Sequence, residues 1–417
     1  MFSITCFPKT LKSFFKEIYK ETEGEPLANL YFWRFVLGFA CLSSSTNLSA
    51  LEKLYGNKRT RQSYELFLEN PRLNLERLLQ NNAITMLRRL GWKAGEPILL
   101  VMDDTQIEKY GKKMEGRSKI FLHAEGRYSY GYSVFVATLV YRGVGIPFYQ
   151  NVCLSKQACE ELSQKYGREF HRRTLIETAV NCINGLQLPG QTPVVVLFDK
   201  YYLCSKVTNA CEQRGFTYIG AVKSNRKFDY TRTVRKVGAF AEECLDNVAY
   251  WRKVSWNSKR LKLATRTGRL SKAGQVRIVF SRREEENGVL ILATNRLNLS
   301  AEEIVKFYRN RWSIESFFKT AKQKLGMSAF RVLKLRAIES HLYLVMFAHQ
   351  LLTHQAIQQL GGKIRKTKTS PIRLSGITET QSFLRRKLTL EAINKGLKKK
   401  SLKLMKKYMK TLVTNSI

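Results

Sequence analysis

Acidic residues are scarce in this sequence: 33 Asp and Glu stand against 72 Lys and Arg, and the formal net charge is +39. A deficit of this size excludes a typical soluble metabolic enzyme and indicates a polyanionic partner. A merely solvated surface usually carries mixed charges with a modest net value. Cationic surfaces bind phosphate backbones by counterion release, so the charge predicts salt-dependent binding to nucleic acid without sequence specificity.

Metal-binding and membrane-spanning patterns are also missing. Eight cysteines and five histidines are scattered along the chain, without a CxxC pair. Their spacing argues against zinc and predicts reduced cysteines in a cytoplasmic protein. The longest apolar runs, Phe32 to Ser43 and His341 to Leu352, are only about a dozen residues long, whereas a membrane helix needs roughly twenty. We therefore predict two buried helices, no secretory signal and no membrane partner.

The sequence divides into five stretches of different character. Residues 1–95 have helical periodicity with interleaved charges and predict a DNA-binding lobe, although a plain helical cap would give the same pattern. Residues 96–225 contain short apolar runs and predict the first part of a mixed α/β core. Residues 226–286 predict a β-rich insertion, and residues 287–335 a final core strand followed by one long helix. Residues 336–417 predict a helical, basic C-terminal lobe.

Two of the predicted core strands end in acids. ILLVMDD ends with Asp103 and Asp104, and PVVVLFD ends with Asp199. Between them, two β-rich runs broken at Arg142 and Gly143 predict a hairpin. Because alternate residues of a strand point to opposite faces, only one of Asp103 and Asp104 should face a site at this strand end.

A third acid lies in the predicted long helix. Ser300 and Glu303 form a capping-box pattern at the start of this helix. Four side chains further along share one face of it, within an arc of about 60°. They are Tyr308, Arg311, Glu315 and Lys322. An ordinary i,i+4 ion pair would explain Arg311 and Glu315 alone, but the four-residue pattern is less ordinary.

These four residues reproduce the Y-x(2)-R-x(3)-E-x(6)-K signature, and the sequence thereby resembles the insertion-sequence DDE transposases. Asp103 with Thr105 is similar to the family's D-x-T first-acid motif, and Asp199 is similar to its second acid. The resemblance covers about residues 95–330. It implies a ribonuclease H-like α/β core in which Asp103, Asp199 and Glu315 converge as catalytic and metal-binding residues.

The resemblance also implies the chemistry. Oxygen-only ligands suit two Mg²⁺ or Mn²⁺ ions, which would support DNA cleavage at transposon ends and strand transfer into target DNA. In this family Tyr308, Arg311 and Lys322 would bind phosphates beside the scissile bond. Trp251 or Trp256 of the insertion would stack on an extruded base, although packing is the commoner role of a tryptophan. The expected partner is double-stranded DNA, meaning terminal inverted repeats and target, bound by a homodimer in the cytoplasm at the nucleoid.

Some alternatives stay open at this point. The D-x-T register favours Asp103 over Asp104 as the first metal ligand. A nuclease with the same core but without strand transfer is disfavoured only by the signature on the predicted helix. A non-catalytic, DNA-binding descendant of a transposase is disfavoured because all three acids are present.

Overall fold

Twelve strands join in one mixed sheet in the part of the chain that the structure, a computed structural model, describes. That part comprises residues 26–42, 47–55, 59–123, 125–247, 252–256, 259–283, 288–360 and 376–398, together with Phe14 and Ile18. The strands are β1 (Ile98–Glu108), β2 (Ser118–Leu122), β3 (Arg127–Tyr141), β4 (Val144–Cys153), β5 (Val194–Phe198), β6 (Thr217–Ala221), β7 (Lys227–Tyr230), β8 (Thr233–Lys236), β9 (Arg252–Trp256), β10 (Lys259–Leu270), β11 (Gly274–Arg283) and β12 (Val289–Thr294). 

Four of the described helices precede β1 in the sequence, four lie between strands and four follow β12. They are α1 (Pro26–Cys41), α2 (Leu48–Leu54), α3 (Arg61–Glu69), α4 (Leu75–Arg89), α5 (Lys156–Tyr166), α6 (Leu175–Gly185), α7 (Ser205–Gln213), α8 (Val237–Asp246), α9 (Ala301–Arg309), α10 (Trp312–Lys324), α11 (Leu335–Leu360) and α12 (Ile377–Lys398).

The core of the sheet has the strand order β4-β3-β1-β5-β6. Strands β4, β3 and β1 are antiparallel neighbours, and β5 and β6 run parallel to β1. All five residues of β5 and the first five of β1 are buried, because helices and neighbouring chain cover both faces of these strands. This is a ribonuclease H-like arrangement, and the predicted α/β fold class is confirmed.

Two local predictions are also confirmed. Arg142 and Gly143 form the two-residue turn between β3 and β4, both with positive φ (51° and 81°). Such turns match the right-handed twist of the strands they join. At the start of α9, the Ser300 hydroxyl accepts a hydrogen bond from the Glu303 N–H, and the Glu303 carboxylate accepts from the Ser300 N–H.

The inserted strands prolong the core sheet instead of forming a sheet of their own. Strand β12 pairs antiparallel with β6, and β11, β10, β7 and β8 follow in order, with β9 beside β10. A helix, α8, interrupts the insertion, for which the sequence predicts a β-rich lobe. Its start has no side-chain cap, so the usual sequence signal for a helix is missing there.

The predicted long helix is wrong: the chain forms two helices, α9 and α10, with a break at Asn310 and Arg311. The Asn310 side-chain amide donates to the carbonyls of Lys306 and Phe307 (3.1 and 3.2 Å) and so satisfies the end of α9. The N–H groups of Asn310 and Arg311 bond three residues back instead of four, which tightens the turn. Apolar periodicity continues across the break, which is why the sequence predicts a single helix.

Helix α11 is buried on all sides and holds the helical part together. It packs against α1, α3, α4 and strand β4. The two apolar runs lie in α1 and α11, where Phe32 meets Phe347 edge-on at 4.8 Å, as expected for buried helices. Among the described residues, no helix has both the length and the apolar character that crossing a membrane requires. The described cysteines carry free thiols.

Two histidines of α11 make the stability of this core pH-dependent. Burial lowers the pKa of His341 and of His349 to about 4. His341 Nε2 donates to the Gly326 carbonyl (2.9 Å), and the His349 ring lies edge-on to Phe317 at 5.1 Å. On unfolding, each ring recovers its ordinary pKa of 6.5 and binds a proton below it. The free energy of unfolding therefore falls as the pH drops from about 6.5 to 4, by up to about 3 kcal/mol per histidine.

This dependence can be measured by urea unfolding between pH 7.5 and 4.5. We expect the His349→Gln variant to lose less stability on acidification than the wild type, because it has one fewer ring to protonate. His171→Gln is the matched control, since His171 is exposed and forms an ion pair with Glu169 at the surface (3.0 Å). Parallel curves for His349→Gln and the wild type would contradict the assignment.

Candidate active site

Strands β1 and β5 set two carboxylates side by side at one edge of the sheet. Their parallel register pairs Val101 with Leu197. Asp103 and Asp199 each lie two residues beyond that pair, and their carboxylates are close enough for the charge of Asp199 to raise the pKa of Asp103. Asp199 directly follows β5, and its Oδ1 accepts a hydrogen bond from the Tyr201 N–H (2.8 Å). That bond closes the turn after the strand and fixes the aspartate there.

Asp103 and Asp104 point to opposite faces of β1. On the face covered by α10, Asp103 Oδ2 accepts from Arg311 Nη1 (3.0 Å). On the other face, Asp104 accepts from the Tyr202 hydroxyl and from the Gln106 side-chain amide, both at 2.9 Å. The structure thus places Asp103, and not Asp104, beside the signature residues.

Arg311 lies between two of the three acids. Its guanidinium donates to Asp103 through Nη1 and to Glu315 through Nη2. All three side chains are largely shielded: Asp103 is 19% exposed, Arg311 20% and Glu315 34%. The break between α9 and α10 places Arg311 at the N-cap of α10, four residues before Glu315. One cation therefore bridges an acid of the sheet and an acid of the helix.

The acids on β1 are incompletely neutralised. Burial raises the pKa of Asp103 to about 7, and repulsion from Asp104 and Asp199 adds to the rise. Arg311 and the backbone N–H of Asp104 oppose it. Burial also raises the pKa of Asp104, against its hydrogen bond from Tyr202. Crowded, shielded carboxylates of this kind are typical of functional sites and are stabilised by an added cation.

The other two signature residues approach the acids from different helices. Tyr308, at the end of α9, is buried, and burial together with the charge of Asp199 raises its pKa to about 12. Lys322, near the end of α10, donates to the Gln106 carbonyl of β1 (2.9 Å), and burial lowers its pKa. The four signature residues thus surround the end of β1 from two helices, instead of lining one face of a single helix.

The acids suit a divalent cation in their chemistry. Asp103, Asp199 and Glu315 offer oxygen ligands only, as Mg²⁺ and Mn²⁺ prefer. In the described ranges, however, no three Asp, Glu, His or Cys side chains are grouped closely enough to hold an ion. The guanidinium of Arg311 bonds to both Asp103 and Glu315 and takes the position between them. Binding an ion there requires Arg311 to release these two carboxylates.

A cleft of about 320 Å³ opens beside the Arg311 side of the site. Arg283 of β11, Leu290 of β12 and Tyr308 contribute to its walls, together with Trp312. The Trp312 side chain is 69% exposed, which is unusual for a large aromatic residue. In the sequence, the feature that could have singled out Trp312 is its position directly after the signature arginine. A helical tryptophan is otherwise more often expected in the core.

The described residues do not show where the side chains of the two insertion tryptophans lie. Trp251 is not among the described residues. Trp256 ends β9, where its backbone pairs with Lys259 of β10, and its side chain lies outside them too. Base stacking by either residue stays a prediction.

Two family profiles match the chain, and together they contain all three acids. Residues 39–237 match the DDE superfamily endonuclease family, and residues 167–351 match the Transposase DDE domain family. A search of curated proteins found no match. Nucleases of the DDE superfamily generally use divalent metal ions and act on DNA. From the two matches and the ribonuclease H-like sheet, we conclude that this chain belongs to the DDE transposase superfamily.

Proposed function

We propose that the protein cuts DNA at the ends of a mobile element and joins the freed 3′ ends to target DNA, as insertion-sequence transposases do. The observation that carries the proposal is the approach of acids from three distant parts of the chain to one edge of the sheet. Asp103 and Asp199 each lie two residues beyond the last paired residues of β1 and β5, and Arg311 links Asp103 to Glu315. The net charge of +39 supports a polyanionic substrate.

We assign metal binding to Asp103, Asp199 and Glu315. Two Mg²⁺ or Mn²⁺ ions held there would supply an activated water or 3′-hydroxyl and stabilise the leaving oxygen. Carboxylates taken up in this way no longer engage Arg311, whose guanidinium can then pair with a phosphate through two parallel hydrogen bonds. The same side chain thus neutralises the acids in one state and binds substrate in the other.

Tyr308 and Lys322 complete the phosphate-binding part of the site. With a pKa of about 12, the Tyr308 hydroxyl keeps its proton at neutral pH and can donate a hydrogen bond to a phosphate oxygen. Lys322 is held against β1 by its hydrogen bond to the Gln106 carbonyl. Both side chains are therefore positioned before DNA arrives, which lowers the entropic cost of orienting the scissile phosphate.

The substrate is double-stranded DNA carrying the element's terminal inverted repeats, and the product is DNA inserted in a target. Cutting two ends in one event requires two active sites, so we infer a homodimer assembled on DNA, in the cytoplasm at the nucleoid. Helices of the N-terminal lobe and the basic C-terminal lobe are our candidates for end recognition.

A cleavage assay on a plasmid with the element's own ends tests this function. With Mg²⁺ or Mn²⁺ we expect cuts at both ends and joined products in a second plasmid, and with EDTA we expect neither. A plasmid with scrambled ends is the control for non-specific nicking. Cleavage without joined products would instead indicate a nuclease, and tight binding to the ends without cleavage would indicate a non-catalytic descendant.

A further inference from the structure

Exposed aromatic side chains collect on one face of the β2–β3 hairpin. Tyr128 is 65% exposed, Tyr130 53% and Phe121 36%. The strand register sets Lys119 opposite Tyr130 and Phe121 opposite Tyr128. Directly opposed and alternate residues share one face of a sheet, so these four side chains form one surface, the hairpin face.

The other face of the hairpin is anchored to the protein. Ile120 and Leu122 of β2 are 7% and 8% exposed. The hairpin is therefore held in place by its apolar face, and folding does not require aromatic residues on the outer one. A cluster of three exposed rings on an anchored hairpin marks an interaction surface.

Cations lie over two of the exposed rings. The Arg117 guanidinium is 4.7 Å from the centre of the Tyr130 ring, and Lys119 Nζ is 4.5 Å from that of Tyr128. The nearby acids Glu108 and Glu125 share Arg127 as a partner, so these two acids together with Arg117, Lys119 and Arg127 keep a net charge of 3 − 2 = +1. Basic groups interleaved with aromatic rings bind nucleic-acid strands, through phosphates and stacked bases respectively.

The hairpin face is continuous with the strands of the active site. Strand β1 continues beyond Asp103 for roughly 17 Å to its last residue, Glu108, which pairs with Gly131 of β3. A Cβ atom at Gly131 would lie 2.0 Å from the Ile107 carbonyl oxygen, so only glycine allows this close approach. His123, in the hairpin turn, is near enough for its charge to oppose the rise in the pKa of Asp104.

The spacing of the rings suits an unstacked strand. Tyr128 and Tyr130 are two residues apart on β3, which is about 7 Å along the strand. Stacked bases of a duplex rise by about 3.4 Å per strand, roughly half that distance, and they bury their faces against each other. Two rings separated in this way can each take a base of a strand whose bases are no longer stacked.

We propose that the hairpin face binds an unpaired DNA strand that extends away from the active site along β1, with bases on Tyr128 and Tyr130 and phosphates at Arg117 and Lys119. The identity of the partner as DNA rests on the proposed function, but the binding itself requires neither metal nor cleavage. Because stacking accepts any base, the surface binds without sequence preference.

The proposal is tested by measuring, with fluorescence anisotropy, how labelled oligonucleotides bind to the full chain. EDTA is present so that no metal-dependent cleavage takes place. We expect the Tyr128→Ala/Tyr130→Ala variant to bind a single strand about tenfold to a hundredfold more weakly. Its affinity for a blunt duplex should stay within about threefold of the wild type, since only unpaired bases stack on these rings. Tyr128→Phe/Tyr130→Phe keeps the rings and should bind like the wild type. Tyr166→Ala is the matched control, because Tyr166 is also exposed (43%) and has Lys165 near its ring (5.5 Å).

Three results would overturn the proposal. The first is unchanged single-strand binding by the alanine variant, and the second is an equal loss of affinity for single strand and duplex. The third is a different sedimentation mass for the DNA-free alanine variant than for the DNA-free wild type, which would assign the hairpin face to binding a second copy of the chain. Photocrosslinking of a bromouracil-substituted single strand to the wild type, with the adduct mapped to residues 117–130, gives a readout that needs no variant. If the protein does not cleave DNA but forms this crosslink, the proposed function fails while the proposal for the hairpin face stands.

Discussion

Replacing Glu315 with glutamine is expected to reduce cleavage at the element's ends by roughly a thousandfold or more. The amide keeps the size of the side chain but removes the charge that we assign to metal binding. Folding should be nearly unaffected, because Glu315 is 34% exposed and its i,i+4 pair with Arg311 contributes at most about 1 kcal/mol. Cleavage rates with Mg²⁺ and binding to a DNA end, measured on the same preparations, separate these effects.

Glu160→Gln is the matched control for this variant. Glu160 also forms an i,i+4 pair, with Lys156 at 3.7 Å on α5, so the change removes an ion pair of the same spacing from a more exposed surface. We expect its cleavage rate to equal that of the wild type. If Glu315→Gln cleaves within about tenfold of the wild type, a side chain outside the three assigned acids holds the metal.

The second large effect is expected from Asp103→Asn, which should also lose cleavage by about three orders of magnitude. Asp103 faces Arg311 and lies near enough to Asp199 to be repelled by its charge, so its carboxylate belongs to the group that binds metal in our proposal. Binding of Mn²⁺, measured by calorimetry, should weaken together with the rate. Thermal unfolding is expected to stay within a few degrees of the wild type, since asparagine fills the same space.

Asp104→Asn is the internal comparison, because the two residues are neighbours on one strand. Asp104 accepts hydrogen bonds from Tyr202 and Gln106, and an amide can accept only one of them without rearrangement. We expect a loss of stability of about 1 to 3 kcal/mol and a cleavage rate within about tenfold of the wild type. The reverse pattern, an active Asp103→Asn and an inactive Asp104→Asn, would transfer the first metal ligand to Asp104.

Several features of the fold follow directly from sequence patterns. The wholly apolar runs ending in acids become β1 and β5, the Arg142-Gly143 step becomes a hairpin turn, and Ser300 with Glu303 caps a helix. Each of these patterns acts over a few residues, so its physical cause is complete within the sequence segment. The sequence patterns do not predict strand β2, which has only five residues, or helix α5, although Ser155 caps the start of α5 and Gly167 ends it with a positive φ.

The helix break shows where local patterns fail. Apolar periodicity through residues 301–324 predicts one helix, but Asn310 satisfies the carbonyls at the end of α9 with its own side chain. These side-chain hydrogen bonds leave the apolar periodicity of the sequence unchanged, so the periodicity does not reveal them. Its consequence for the site is large, since Arg311 then occupies the N-cap of α10 and reaches both Asp103 and Glu315.

By itself, the sequence predicts an α/β core and a polyanionic partner, because buried strands and charge excess are properties of the chain alone. Its motif spacing carries the resemblance that implies the ribonuclease H-like core and the site residues. Only the tertiary structure decides that Asp103 rather than Asp104 faces the signature residues, and that Arg311 bridges two acids. It alone also gathers exposed rings and cations on the β2–β3 hairpin. These contacts join residues far apart in the chain, and strand register and helix packing, which set such contacts, depend on the whole fold at once.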